Sequence, residues 1–353
     1  MNDRPLLLNY TKKSNDDVGL DPAVMESRPV LSRTISRLKT KPDVFYFCKG
    51  AESIQELLEM PQQNLSWEEC CFQRAEQLLR LKKDRYYISY SGGIDSTAVL
   101  VAMQEVWPKA DLEKVVVLLS KTSIEENPTF FNRHVSKYPL ETSLQNASRL
   151  LRKPNTLLVT GEMGDQLFGS VILMLPCQEE GDQILKADFR EAVPGIFKGL
   201  QLHMGQLSES TNYERFYQIV EECPFPIQTT FDFFWWFNFT QKWQFVKYRF
   251  LQSSDWDLHL RYGEQILHFY DTIAFQQWSL KNHDLKIQDT WESYKFTNKE
   301  FIYKYTKDPE QLTLRKIQSL LKTFTLNEKR MAITSDYREV NSIEELRNYV
   351  RSH

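Results

Sequence analysis

The sequence predicts an α/β fold: a parallel sheet with flanking helices, followed by a mostly helical C-terminal portion. Three observations predict it. First, short apolar runs of strand character (Tyr86–Tyr90, Val115–Leu119 and Thr156–Thr160) alternate with stretches of helical character. Strands that alternate with helices imply parallel strands joined by right-handed crossovers. Second, the first run passes through Gly92 and Gly93 straight into the helical stretch Thr97–Met103. Third, the texture changes after about Pro176, where apolar and aromatic residues recur at helical spacing.

Residues 1–41 are polar, with scattered prolines, and read as an irregular arm lying over the body. Asp43–Cys48 is a short strand candidate. Ser53–Met60 and Trp67–Lys82 read as helices, the second with Cys71, Ala75, Leu78, Leu79 and Leu81 near helical spacing. A strand at Tyr86 and a helix to about Val106 follow. The next elements are a strand at Val115–Leu119, a helix from about Phe130 and a strand at Leu157. Phe231–Phe250, with Trp235, Trp236 and Trp243, reads as a buried amphipathic helix. Lys242, Lys247 and Arg249 beside those rings leave base stacking as the alternative. The organisation expected is an N-terminal arm with helices over 1–83, an α/β core over 84–176, and a mostly helical portion over 177–353.

Composition narrows the function classes. Lys+Arg 44 against Asp+Glu 47 gives a net charge of −3, so nothing global attracts nucleic acid or an anionic membrane. The cysteines, Cys48, Cys70, Cys71, Cys177 and Cys223, form no C-x-x-C pair, which argues against zinc and disulfides. No secretory leader and no membrane-length apolar stretch is present in the sequence, so a cytoplasmic location is expected.

The chemistry is concentrated in Ser91-Gly92-Gly93-Ile94-Asp95-Ser96. Strand, glycine turn and helix start together make an anion-binding construction. The glycines let the backbone approach an oxyanion, and the N–H groups of the helix start point at it. Ser91, Ser96 and Thr97 add hydroxyls. Asp95 suits such a site once Mg²⁺ stands beside the phosphates. The Walker A spacing is absent.

S-G-G-x-D-S at a strand-to-helix junction resembles the PP-loop of ATP pyrophosphatases. The resemblance implies an adenine nucleotide alpha-hydrolase-like fold, ATP cleavage between the α and β phosphates, and pyrophosphate held in the loop. A second segment, Gly161-Glu162-Met163-Gly164-Asp165-Gln166-Leu167-Phe168-Gly169, is similar to the G-E-G-x-D-E-[LI]-F-G-G of asparagine synthetases. Met163, Gln166 and Ser170 depart from that pattern. The family likeness implies that Glu162 acts near an acyl-adenylate. The nitrogen nucleophile must lose a proton there, for which Glu162 is the natural base; orienting the Gly164 N–H or a metal-bound water is the alternative. The likeness also implies that Asp165 helps bind Mg²⁺-pyrophosphate and that Gly161 lies against the nucleotide.

Farther on, Glu264–Asp271 looks like the family's E-x-R-x-P-F-L-D, with Ile266 in place of the Arg and His268 in place of the Pro. A phosphate-contacting lysine is expected at Lys299, with Lys295 as the alternative. The catalytic candidates are therefore Glu162 and Lys299. The nucleotide-binding candidates are Ser89, Ser91, Gly92, Gly93, Asp95, Ser96, Leu118, Gly161 and Asp165, with Asp95 and Asp165 as the Mg²⁺ ligands. Ser123–Pro128, with Glu125, Glu126 and Asn127, is a candidate substrate loop.

Glutamine-dependent asparagine synthetases carry an N-terminal glutaminase domain whose catalytic cysteine follows the initiator Met. Here residue 2 is Asn2, and the stretch before Ser91 is shorter than a domain needs. The expectation is an AMP-forming carbon–nitrogen ligase acting on ATP and a small carboxylate or amide. Its nitrogen comes from ammonia, an amine, or a separate glutaminase. A binding module without efficient turnover, or a nucleoside- or nucleic-acid-modifying pyrophosphatase, is the alternative.

Overall fold

In chain order the elements are α1 (Ile54–Glu59), α2 (Trp67–Arg80), β1 (Arg85–Ser89), α3 (Ile94–Val106), β2 (Val115–Leu119), α4 (Lys121–Glu126), β3 (Leu140–Thr142), β4 (Thr156–Thr160), α5 (Gly164–Phe168), α6 (Phe189–His203), α7 (Thr230–Phe237), β5 (Ile266–His268), α8 (Ile273–Lys281) and α9 (Phe296–Thr306), with further helical turns between them. The computed structural model describes residues 37, 54–142, 153–203, 219–244, 246 and 264–314. These fall into two compact units. A sheet unit takes the described residues within 65–162, 254–275 and 296–353; a helical unit takes those within 1–64, 163–253 and 276–295.

The sheet unit holds five parallel strands in the order β3-β2-β1-β4-β5. Every residue of β2 and β4 is buried, as strands covered on both faces require. Burying each Val or Leu of β2 contributes about 1.5–3 kcal/mol. The chain adds β2 and β3 on one side of β1, then crosses back to place β4 and β5 on the other. The strand order therefore reverses between β1 and β4. Ligands of open α/β sheets bind outside the strand carboxyl ends at such a reversal. Ser89 ends β1 and Thr160 ends β4, and the two are paired in register.

Helix α3 is apolar nearly all round, and Ile94 and Ser96–Met103 are buried. That pattern belongs to a covered helix. Here α2 and α9 pack on it from within the sheet unit. Helix α2 starts at a capping box: Ser66 Oγ accepts from Glu69 N at 3.2 Å, and Glu69 returns a carboxylate to Ser66 N at 2.7 Å.

Several expectations are corrected. The helix expected from about Phe130 is present but short: an α-turn at Pro128–Phe130 runs directly into a π-helical turn at Phe131–Val135. Asn127 caps that turn, and Pro128 at its first position needs no N–H donor there. Strands β3 and β5 have three residues each, too short for an alternating pattern to mark them. Ser123–Glu126 is not a loop but part of α4. Asn127 is committed to structure, accepting from Phe130 N at 3.1 Å and donating to Gln311 Oε1 at 3.0 Å. The Asp43–Cys48 strand candidate lies outside the described residues, as does the arm apart from Arg37.

In the helical unit α7 packs on α5 and α6, and its aromatic residues face inward. Trp235, Trp236 and Trp243 are at most 1% exposed, so they offer bases no stacking surface. Lys247 and Arg249 lie outside the described residues. Arg37 is itself buried there. Its guanidinium lies 4.6 Å from the Phe239 ring and 4.8 Å from Trp243, and it donates to Gln276 Oε1 at 2.7 Å. No helix among the described residues is long and apolar enough to cross a membrane.

Candidate active site

The turn after β1 is knitted by its own serines. Ser96 Oγ accepts from Ser91 N at 3.1 Å and donates to Gly93 O at 3.0 Å; Ser91 Oγ accepts from Gly93 N at 3.4 Å. Tyr90 N donates to Leu118 O at 2.8 Å, which ties the exit of β1 to the end of β2. Gly92 has φ +79°, and a Cβ there would overlap the Ser123 carbonyl oxygen and lie 2.7 Å from Glu126 Cβ. Only glycine satisfies both demands. Gly93 begins α3 without any side-chain cap, so the helix start presents backbone N–H groups to whatever fills the turn. Ser91 is exposed at the mouth of the turn, whereas Thr97 is fully buried and supplies no hydroxyl to a ligand.

Gly161 brings the end of β4 against the same turn. A Cβ at Gly161 would stand 2.9 Å from Ser96 N and 3.0 Å from Ser96 Cα. The structure thus gathers Ser89, Ser91–Gly93, Asp95, Ser96, Leu118 and Gly161 in the sheet unit. Glu162 follows at once, half-buried, its N–H donating to Thr160 Oγ1 at 3.3 Å. Thr160 Oγ1 also lies 2.7 Å from His268 Nδ1 on β5.

Asp95 is half-buried in the first turn of α3. Its carbonyl oxygen accepts from the Tyr270 hydroxyl at 2.9 Å, and its Oδ1 accepts a long bond from Asn298 Nδ2 at 3.5 Å. Burial, and then the Asp95 charge, hold the Tyr270 phenol well above its ordinary pKa, so it stays a neutral donor. Lys299 is buried on α9, next to Asn298.

Neither the protein-family models nor the curated proteins compared with this chain match it.

Within the helical unit, Asp165 opens α5. Met163 caps that helix with φ +80°, a left-handed conformation that costs an L-residue with a Cβ about 1–2 kcal/mol. Asn238, on the π-helical turn Asn238–Lys242, clamps the loop: its Nδ2 donates to the carbonyl oxygens of Asp165, at 3.0 Å, and of Gly169. Gln166 Nε2 completes the clamp by donating to Asn238 Oδ1 at 3.2 Å. The Asp165 side chain pairs with Lys295: Nζ to Oδ1 is 2.6 Å. The Tyr294 hydroxyl adds a 3.4 Å bond to the same oxygen.

No motif pointed to Asn238, Asn298 or Tyr270, whose importance comes from what they touch. Among the described residues, no group of three or more His, Cys, Asp or Glu is placed to hold a metal. Mg²⁺ needs no such cage, since it takes one or two carboxylates together with phosphate oxygens and water. Asp95 fits that requirement as a hard, half-buried oxygen donor. Asp165 is likewise a hard carboxylate donor, one of whose oxygens pairs with Lys295. The described cysteines are free thiols, and burial pushes Cys70 and Cys177 up to about 12 and Cys223 to about 11. Thiols raised that far are not nucleophiles at neutral pH.

Proposed function

We propose that the protein is an ATP-dependent, AMP- and pyrophosphate-forming amide ligase with a PP-loop fold, resembling the synthetase portion of asparagine synthetases. One observation carries the reading: the Ser91–Ser96 turn lies at the strand-order reversal, with Gly161 packed against Ser96. An oxyanion set in that turn meets backbone N–H groups and the positive end of α3.

In the reaction this implies, a carboxylate or amide oxygen attacks the α-phosphorus of ATP and pyrophosphate leaves. The α3 start and the Ser91 hydroxyl receive the leaving group. Asp95 and Asp165 are assigned to Mg²⁺, which when bound neutralises charge growing on pyrophosphate. A nitrogen nucleophile then attacks the activated carbon and displaces AMP. Glu162 is assigned the proton that this nitrogen loses, a role that demands hydrogen-bond reach. Ammonia, an amine substrate or a separate glutaminase supplies the nitrogen.

A binding module without efficient turnover is the second reading. The Lys295–Asp165 ion pair favours it, because that carboxylate is already neutralised. Product analysis separates the two. Turnover with amino acids, nucleosides or nucleic acid, each with and without ammonia, should give AMP and pyrophosphate. ADP and phosphate would refute the ligase reading, and ATP binding with no product from any acceptor would favour the module.

A further inference from the structure

We infer that Asn298 is a positioning residue for Asp95, and that it acts through a buried chain that starts at Trp67. The inference rests on the ligase reading, in which Asp95 takes Mg²⁺.

Asn298 is fully buried on α9. Its Oδ1 accepts from Trp67 Nε1 at 3.0 Å, which fixes which end of the amide is which. The NH₂ is thereby turned toward the Asp95 carboxylate, 3.5 Å from Oδ1. Trp67 cannot turn away. It is 3% exposed, stacks on Tyr270 with ring centroids 5.7 Å apart, and lies 4.9 Å from the Phe275 ring. Tyr270 holds the other side of the same residue by donating to Asp95 O at 2.9 Å. Backbone and carboxylate of Asp95 are therefore held by two donors on separate segments of the sheet unit. An indole N–H can only donate, so the direction of the chain is set: Trp67 to Asn298 to Asp95.

Partners of this kind orient a metal-binding carboxylate, and their loss typically weakens metal affinity by about 10–100-fold. Asn298→Leu keeps the volume and removes the bonds to Trp67 and Asp95, together with the amide's hydrogen bond to Tyr270. Trp67→Phe keeps a ring and releases only the amide. The readout is Mg²⁺ binding by calorimetry on the full chain with α,β-methylene ATP present, with the melting temperature recorded alongside. Asn298→Leu should raise the Mg²⁺ dissociation constant by about 10-fold or more, and Trp67→Phe should raise it by less. An unchanged constant in Asn298→Leu, with only a lower melting temperature, would reduce Asn298 to a packing residue and overturn the inference. Should Asn298→Leu not fold, Trp67→Phe decides alone: no shift overturns the inference. Wild-type protein that binds no Mg²⁺ with the analogue would instead remove the ligase reading, and this inference with it.

Discussion

Asp165 and Lys295 differ in exposure, and that difference sets what each contributes. The lysine side chain is 5% exposed and the carboxylate 36%. Removing the carboxylate takes an anionic partner from a buried ammonium, whereas removing the ammonium leaves a carboxylate that water reaches. Asp165→Asn should therefore cost about 2–3 kcal/mol in urea unfolding, and Lys295→Met about 1 kcal/mol or less. Equal losses would mean that the pair does not persist in solution. Glu162 has a different test. Glu162→Gln keeps shape and hydrogen bonding but cannot accept a proton. With the true carboxyl substrate it should retain pyrophosphate exchange while amide product falls by about 100-fold or more. Loss of both would move Glu162 into the adenylation step. Lys295 shows why such a partnership is not legible in sequence: it is buried against Asp165, far away in the chain, and no local pattern marks the pairing.

Elements carry constraints that single residues do not. The end of β4 approaches the start of α3 so closely that Gly161→Ala would press a Cβ on the Ser96 backbone at 2.9–3.0 Å. Backbone cannot rotate aside as a side chain can, so the variant should lose about 1–3 kcal/mol of stability. Nucleotide affinity should fall with it. A thermal melt and a binding titration check both. The start of α7 is bound to the turn after α8. Asp232 accepts from Thr229 N at 2.8 Å and lies 2.8 Å from His283 Nε2, while His283 Nδ1 is 2.9 Å from Lys286 Nζ. Burial, outweighing the Asp232 hydrogen bond, lowers the His283 pKa below its ordinary value, and Lys286 lowers it further; Asp232 and Asp284 oppose. Burial also holds the Lys286 ammonium well below its usual range, with Asp232, Asp284 and Cys223 opposing. A lowered histidine means that the unfolded chain takes up the proton first. The stability contributed by neutral His283 is full above about pH 6.5 and is lost as the pH falls from there through the folded value. His283→Gln should flatten that slope in urea unfolding followed from pH 7.5 to 5. An unchanged slope would place the titration elsewhere.

At the scale of the whole molecule, the sequence by itself determined where β1, β2 and β4 lie, that helices intervene, and that a glycine turn opens α3. Each is local: five-residue apolar runs and a two-glycine break write their own periodicity and backbone freedom into neighbouring positions. Local information also sufficed for α2, which begins at Trp67 behind its own capping box. Only the tertiary structure decided the order β3-β2-β1-β4-β5, and with it the reversal that places Ser89 beside Thr160. Likewise it alone chose Lys295 for Asp165, and turned Asn298 and Tyr270 toward Asp95 from more than 170 residues away in sequence. It also overrode a local reading in Ser123–Asn127, where a polar run that resembled a loop became helix and cap. The physical reason is the same throughout. Propensity and periodicity act over a few residues, whereas strand order and side-chain partners are selected by burial and by the need to satisfy buried polar groups across the whole chain.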